Sequence, residues 1–267
     1  MKIIVCVKQV PDTTGKVAVK EDGTMNRAAM LTITNPDDMN AIEAALAIKD
    51  ENPDCKVIAV SMGPPAAADM LREVLAMGAD EAVLVSAREF GGSDTFATSQ
   101  ILAAAIKRIG FVEGDMIFCG RQAIDGDTAQ VGSQIAEKLE LPQISYATEI
   151  TKDGNMLKVK QAFDDGYTVV KVKTPCLVTC ISELNSPRYM SVKGIIESES
   201  KPLETFGYDA LKDDSLIDAT TIGLKGSPTQ VFKSFSPPAK GSGVMLEGSG
   251  KETVTQLFEL LAEKHIV

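Results

Sequence analysis

Four short apolar runs, each followed by a turn and then by a stretch of helical periodicity, constrain this chain more than any other feature. Ile3 to Val7, Lys56 to Val60, Glu81 to Val85 and Met116 to Cys119 are runs of buried-strand type. Between them lie three helix-like stretches: one opening at Asn35-Pro36 with Ile42, Ala45 and Leu46 on one face, then Ala67 to Met77, then Phe96 to Ile109. Strands alternating with helices of this length make right-handed βαβ units and a parallel sheet covered on both faces. The expected fold class is α/β: three layers, αβα, around a mostly parallel, doubly wound, Rossmann-like sheet. In such a sheet ligands bind outside the carboxyl ends of the strands, where the strand order reverses.

One loop at such an end carries more polar residues than a connection needs. The stretch CGRQAIDGDTAQVG, Cys119 to Gly132, crowds Arg121, Gln122, Asp125, Asp127, Thr128 and Gln130 into one turn. Downstream, Val131, Ile135 and Leu139 share one face of a helix that should end near Leu141-Pro142. Asp127 is expected to cap that helix, with Gln130 reaching back as in a capping box. A strand that feeds a helix through glycines offers free N–H groups and a positive dipole end to an anion. The two aspartates would repel bare phosphate, so a nucleotide with sugar and diphosphate fits better; a plain βα turn is the competing reading. At the other strand ends, Asn35 is expected to cap a helix with Pro36 at its first position and Asp37 and Asp38 in its first turn.

Composition narrows the partners. The 267 residues carry a net charge of −10, which works against nucleic acid and against anionic membrane surfaces. Five cysteines form no CxxC pair, and Cys176 and Cys180 should share one strand face as small hydrophobes. A reducing compartment follows, and without a run of ~20 apolar residues or a cationic leader the expectation is a cytoplasmic protein with no membrane insertion. The single histidine is His265, near the end of the chain, and no HExxH, Walker A or GxGxxG occurs. Nucleotide-binding hardware without an evident acid, base or nucleophile implies that a bound cofactor carries the chemistry. Neither a catalytic residue nor a metal site is expected.

Beyond Pro142 the pattern changes to closely spaced strands at Met156 to Lys160, Tyr167 to Lys173 and Cys176 to Ile181, with a turn at Asp164-Asp165-Gly166. A hairpin excursion is expected over residues 17–26. From Pro187 periodicity is poor until an amphipathic helix at about Glu252 to Lys264, and such a stretch cannot make its own core. Phe206, Tyr208, Leu211, Phe232 and Phe235 are dosed along it, which favours an arm folding against another polypeptide. The expected division is a nucleotide-binding domain over 1–186 and, over 187–267, a C-terminal arm and terminal helix packing on a partner subunit.

The motifs resemble the β subunit of electron transfer flavoproteins over essentially the full length. The matching pieces are VCVKQVPDT (Val5 to Thr13), NPDDMNAIEAAL (Asn35 to Leu46), VIAVSMGP (Val57 to Pro64), MGAD (Met77 to Asp80), GRQAIDGDTAQVG (Gly120 to Gly132) and NSPRY (Asn185 to Tyr189). Residues 159–179 follow the family's diagnostic stretch except at Gln161 and Thr168. The resemblance implies a heterodimer with a larger α subunit and an adenine nucleotide at the strand ends. Carried over by position, its contacts are Cys6; Asn35, Pro36, Asp37 and Asp38; Met62; and Gly120, Arg121, Gln122, Ala123, Ile124, Asp125, Gly126, Asp127, Thr128, Ala129, Gln130 and Val131. The segment Tyr189 to Ile195 is similar to the loop that docks flavin-dependent dehydrogenases, with Val192 at its anchor position and acidic Glu197 and Glu199 where the family has a basic tail. The reading AIDGDTAQVG, in place of AIDDDxNQTG, resembles members that hold a second FAD and divide the electrons of NADH between the α-subunit FAD and ferredoxin or flavodoxin. Gly126 would spare a diphosphate a charge and a side chain. A plain electron carrier with structural AMP is the alternative.

Overall fold

A computed structural model describes residues 1–12, 31–232 and 241–267. The hairpin expected at 17–26, and Phe235, lie outside the described residues. In chain order the elements are β1 (Lys2–Cys6), β2 (Gln9–Pro11), β3 (Thr32–Thr34), α1 (Pro36–Glu51), β4 (Lys56–Met62), α2 (Ala67–Met77), β5 (Glu81–Val85), α3 (Thr95–Ile109), β6 (Met116–Gly120) and α4 (Val131–Lys138). There follow β7 (Gln143–Asp153), β8 (Met156–Phe163), β9 (Gly166–Lys173), β10 (Cys176–Cys180), α5 (Val192–Ser198), β11 (Leu203–Phe206), α6 (Tyr208–Leu211), α7 (Gly223–Gly226) and α8 (Gly250–Glu263).

Nine strands form one sheet in the order β11-β5-β4-β1-β6-β10-β7-β8-β9. β1 is central because it is apolar on both faces: Ile3 and Val5 meet α1 and α2, whereas Ile4 and Cys6 meet α3 and α4. The chain winds outward from β1 through β4 to β5 and then crosses back to place β6 on β1's other side, all in parallel. Strand order therefore reverses at β1/β6, with α1 and α2 on one face and α3 and α4 on the other. The expected three-layer architecture is present, and Cys176 and Cys180 do share the α1/α2 face.

Two elements differ from expectation. β7, the longest strand among the described residues, fills the stretch after Pro142 to which the sequence pattern assigns no element; it pairs parallel to β10 and then antiparallel to β8. Its alternation is broken at Tyr146, whose φ is +58°, and its pairing shifts register on either side, so no clean two-residue period survives. The other is β11, which adds to the sheet edge beside β5. The segment expected as an arm from Pro187 therefore begins on the body of the protein: Phe206, Leu211, Ile217 and Ile222 are buried in the α3-side core. Among these later elements only α8 has no buried residue. No helix among the described residues is long and apolar enough to cross a membrane.

Candidate functional site

At the reversal point the ends of β1 and β6 are tied together by one carboxylate. Asp38 Oδ2 accepts from Lys8 N at 2.8 Å and Oδ1 accepts from Gly120 N at 3.0 Å. Burial pushes this carboxyl up to about 7, against the hydrogen bonds from Lys8, Asn35 and Gly120, which lower it. Gly120 is required by the closeness of α1: a Cβ there would lie 2.7 Å from the Asp37 carbonyl carbon and overlap Asp38 Oδ1.

Asn35 begins α1 but does not cap it with its side chain. The fully buried amide instead reaches the loop, where Nδ2 donates to Gln122 O at 2.8 Å and Oδ1 accepts from Ile124 N at 3.0 Å. Pairing a loop's backbone through both prongs of one amide satisfies more buried groups than a cap bond would. Around this clamp, Lys8 Nζ pairs with Asp125 at 2.7 Å and Arg121 Nε lies 3.3 Å from Asp37 Oδ2. Burial raises the Asp37 carboxyl, and the Arg121 charge opposes that rise.

The expected Asp127 cap is also absent. The N-cap of α4 is Gln130, with no side-chain cap bond; Asp127 sits at φ +53° and its carboxylate accepts from Gln122 Nε2. Gln130 instead receives the Thr95 hydroxyl at 2.9 Å, joining the starts of α3 and α4. The left-handed turn belongs to Asp127 and Ala129 (φ +52°), and Gly126 is not among the positive-φ residues. A Cβ on Gly126 would meet nothing within 4 Å.

What the loop offers is a row of donors. From Thr128 to Ser133 no backbone N–H donates to an acceptor among the described residues, although Gly132 is buried. Ala129 is left-handed and Gln130 right-handed (φ −111°, ψ −33°), an alternation that turns successive N–H groups into one concavity. The concavity runs into the dipole end of α4, and Gly132 brings that helix close to the sheet: a Cβ there would sit 2.7 Å from Cys119 Sγ and 2.9 Å from Thr179 Cγ2. A buried N–H without an acceptor is costly, so this stretch fits an anionic ligand.

The residues expected as contacts thus fall at the carboxyl ends of β1, β4 and β6. Cys6 lies in register with Cys119, and burial, then Asp38, pushes its thiol up to about 12. Met62 stands apart on β4 beside Val85. Sequence reasoning missed Lys8 and Thr95 as neighbours of the loop; the signal was their place just past β1 and at the start of α3. A cleft at the opposite, amino ends of the strands is lined by Lys2, Lys56, Glu81 and Arg108. Its cations are already held, Lys2 by the Gly110 carbonyl, Lys56 by Glu81 and Arg108 by the Ala210 carbonyl. No cluster of metal ligands occurs among the described residues.

The sequence pattern described as Electron transfer flavoprotein domain matches residues 23–211. The chain belongs to the electron transfer flavoprotein family, as a β-type subunit. It is 62% identical to the acryloyl-CoA reductase electron transfer subunit gamma of Anaerotignum propionicum, with 100% of each chain covered. It is 52% identical to subunit CarD of the caffeyl-CoA reductase-Etf complex of Acetobacterium woodii, again over 100% of both. The electron transfer flavoprotein subunit beta of Clostridium acetobutylicum is 48% identical over the same full coverage. The family's role is electron transfer, and these relatives are named as subunits of electron transfer assemblies.

Proposed function

We propose that this subunit binds FAD at the carboxyl ends of β1, β4 and β6, with NADH as electron donor, and that it works in a heterodimer with a larger α subunit. The single observation carrying the reading is the unaccepted N–H row from Thr128 to Ser133, which suits a diphosphate. Asn35 and Asp38 fix the part of the loop that leads into it, at Gly120, Gln122 and Ile124, and the pairs Lys8–Asp125 and Arg121–Asp37 put charge on that same loop. When bound, FAD would supply hydride acceptance from NADH and the division of the electron pair between the α-subunit FAD, serving a flavin-dependent reductase, and ferredoxin or flavodoxin. The two relatives named for acryloyl-CoA reductase and caffeyl-CoA reductase support a reductase of that class as partner. Five unpaired cysteines suit a cytoplasmic setting. The exposed stripe of Val254, Leu257 and Phe258 on α8 is read as the contact with the α subunit, and Tyr189 to Ile195, with exposed Ile196 beside it, as the reductase contact.

The test is the nucleotide content of the purified heterodimer. Two FAD per heterodimer is expected, and one FAD with one AMP would overturn the reading in favour of a plain carrier. Gly126→Asp sharpens it, because open space and an ordinary φ leave charge as the substitution's main effect. A carboxylate at ~4 Å from a diphosphate costs about 1–4 kcal/mol, roughly five- to a thousandfold in affinity. The variant should retain one FAD and lose the second.

A further inference from the structure

We infer that Arg188 and Gly194 are positioning residues for protein docking, holding the apolar segment Tyr189 to Ile196 in one pre-formed shape against α1 and α2. The inference rests on the docking reading above. Tyr189 is 98% exposed, Met190 41%, Val192 77%, Ile195 50% and Ile196 70%, so five large hydrophobic side chains stand in solvent within eight residues. Such a cluster marks a protein contact. A helix of seven residues, as α5 is, does not persist by itself in water. Of its residues only Ser198 is buried, so apolar burial does not hold it either.

Polar clamps do. Upstream, Arg188 Nε and Nη2 each meet the Glu43 carboxylate at 2.9 Å, Nη2 also meets Asp50 at 2.7 Å, and Arg188 N donates to Glu43 at 2.9 Å. Beside it Asn40 Nδ2 donates to the Asn185 carbonyl at 2.8 Å and Asn185 Nδ2 returns a bond to the Asn40 carbonyl at 3.0 Å. All three partner residues lie on α1, the helix whose first turn carries the loop clamp. Downstream, Ser191 Oγ caps α5 by accepting from Gly194 N at 2.9 Å, and Gly194 lies so close to α2 that a Cβ would overlap the Ala76 carbonyl oxygen. Arg72 Nη1 then donates to the carbonyls of Ser198 and Lys201 at 2.6 and 2.8 Å, while Lys201 Nζ donates to those of Leu75 and Ala79 at 2.8 and 2.7 Å.

A segment fixed at both ends loses little freedom when its side chains are covered, which is how pre-organisation raises affinity. The partner is a flavin-dependent reductase of CoA thioesters. Exposed Glu197, which Lys193 Nζ meets at 3.6 Å, and exposed Glu199 border the apolar cluster, so its facing surface is apolar with a cation placed to meet Glu199.

The test uses the intact heterodimer, with the acryloyl-CoA reductase of Anaerotignum propionicum, freed of its own electron transfer subunits, as the probe. Arg188→Met and Gly194→Ala should each raise the KM for the reductase about tenfold or more by releasing the segment, with kcat and flavin content unchanged. Arg188→Lys should fall between, since an ammonium keeps the charge and loses the two-pronged geometry. Amide exchange at Gly194 and Ile195 should accelerate in the Met and Ala variants while β1, β4 and β6 stay protected. If Val192→Ala raises KM but Arg188→Met and Gly194→Ala alter neither KM nor exchange, the positioning role is wrong and docking stands. If Val192→Ala and Tyr189→Ala both leave KM unchanged, the docking reading itself is wrong.

Discussion

Residues 192–232 and residues 241–267 both mix Ser, Gly and Lys with scattered apolar side chains, yet they relate to the body in opposite ways. The first region attaches piece by piece. β11 pairs with β5, Phe206 and Leu211 drop into the α3-side core with Ile217 and Ile222, and Leu224 N donates to Gly91 O at 3.0 Å. The second contains the better-formed helix, α8, with a complete capping box between Ser249 and Glu252, and buries none of it. Periodicity reports whether a segment can present a continuous apolar face, and it says nothing about whether that face has found its partner. A segment that docks on an existing core needs only one anchor every several residues, and so leaves no periodic trace.

The largest effect that separates the two regions is truncation. A chain ending at Lys201 loses four buried anchors, each worth about 1.5–3 kcal/mol, a sum comparable to the ~5–15 kcal/mol stability of a whole domain. It should fail to fold, read by circular dichroism and thermal melting. A chain ending at Lys240 should melt at the wild-type temperature but no longer bind the α subunit. Loss of folding in the second truncation would show that α8 supports the body, and the contrast would collapse.

The same contrast can be drawn with one residue type. Phe206 is 4% exposed and Phe258 61% exposed. Phe206→Ala should destabilise the isolated chain by about 3–5 kcal/mol in denaturant titration. Phe258→Ala should change it by less than about 0.5 kcal/mol while weakening heterodimer association by about 2 kcal/mol, or roughly thirtyfold. Equal effects of the two substitutions on the isolated chain would contradict the packing described.

These two regions also show where a sequence can be read. The strands and helices of the βαβ units carry their boundaries in local chemistry: an apolar run, a proline at the first helical position, a glycine at the end. α2 and β5 occupy the expected residues for that reason. The loop from Gly120 to Val131 was legible as a site through its polar crowding. The bonds that shape it were not, because Asn35 reaches Gln122 across 87 positions and Asp38 reaches Gly120 across 82. Both residues look like helix-start residues locally, and the tertiary partner decides their bonds. Asp127 misled for a related reason: a short polar side chain suits a cap, and it equally tolerates the left-handed turn it occupies. β7 was missed because a bulge interrupts its period, and β11 because four residues are too few to show one.

The smallest expected effect concerns the last attachment of the first region, where a single carboxylate ends the packed segment. Asp94 Oδ1 caps α3 by accepting from Ala97 N at 3.0 Å, and Oδ2 accepts from Thr229 N at 3.0 Å and Thr229 Oγ1 at 2.7 Å. Asp94 N donates to Ser227 Oγ at 2.8 Å. Burial pushes this carboxyl up, but the bonds from Ala97 and Thr229 outweigh it and hold it below its ordinary 3.8. A carboxylate with a lowered folded value contributes stability that is present above the ordinary value and is lost as pH falls through the folded one. The clamp should therefore be closed at neutral pH and open only in strong acid. Asp94→Ala at pH 7 should cost about 1 kcal/mol through the lost cap, and should speed exchange of the Thr229 amide while leaving Phe206 protected. Asp94→Asn, which keeps one acceptor oxygen, should fall between. If Thr229 stays as protected in the Ala variant as in wild type, the attachment of Thr229 to the start of α3 is set by something other than Asp94.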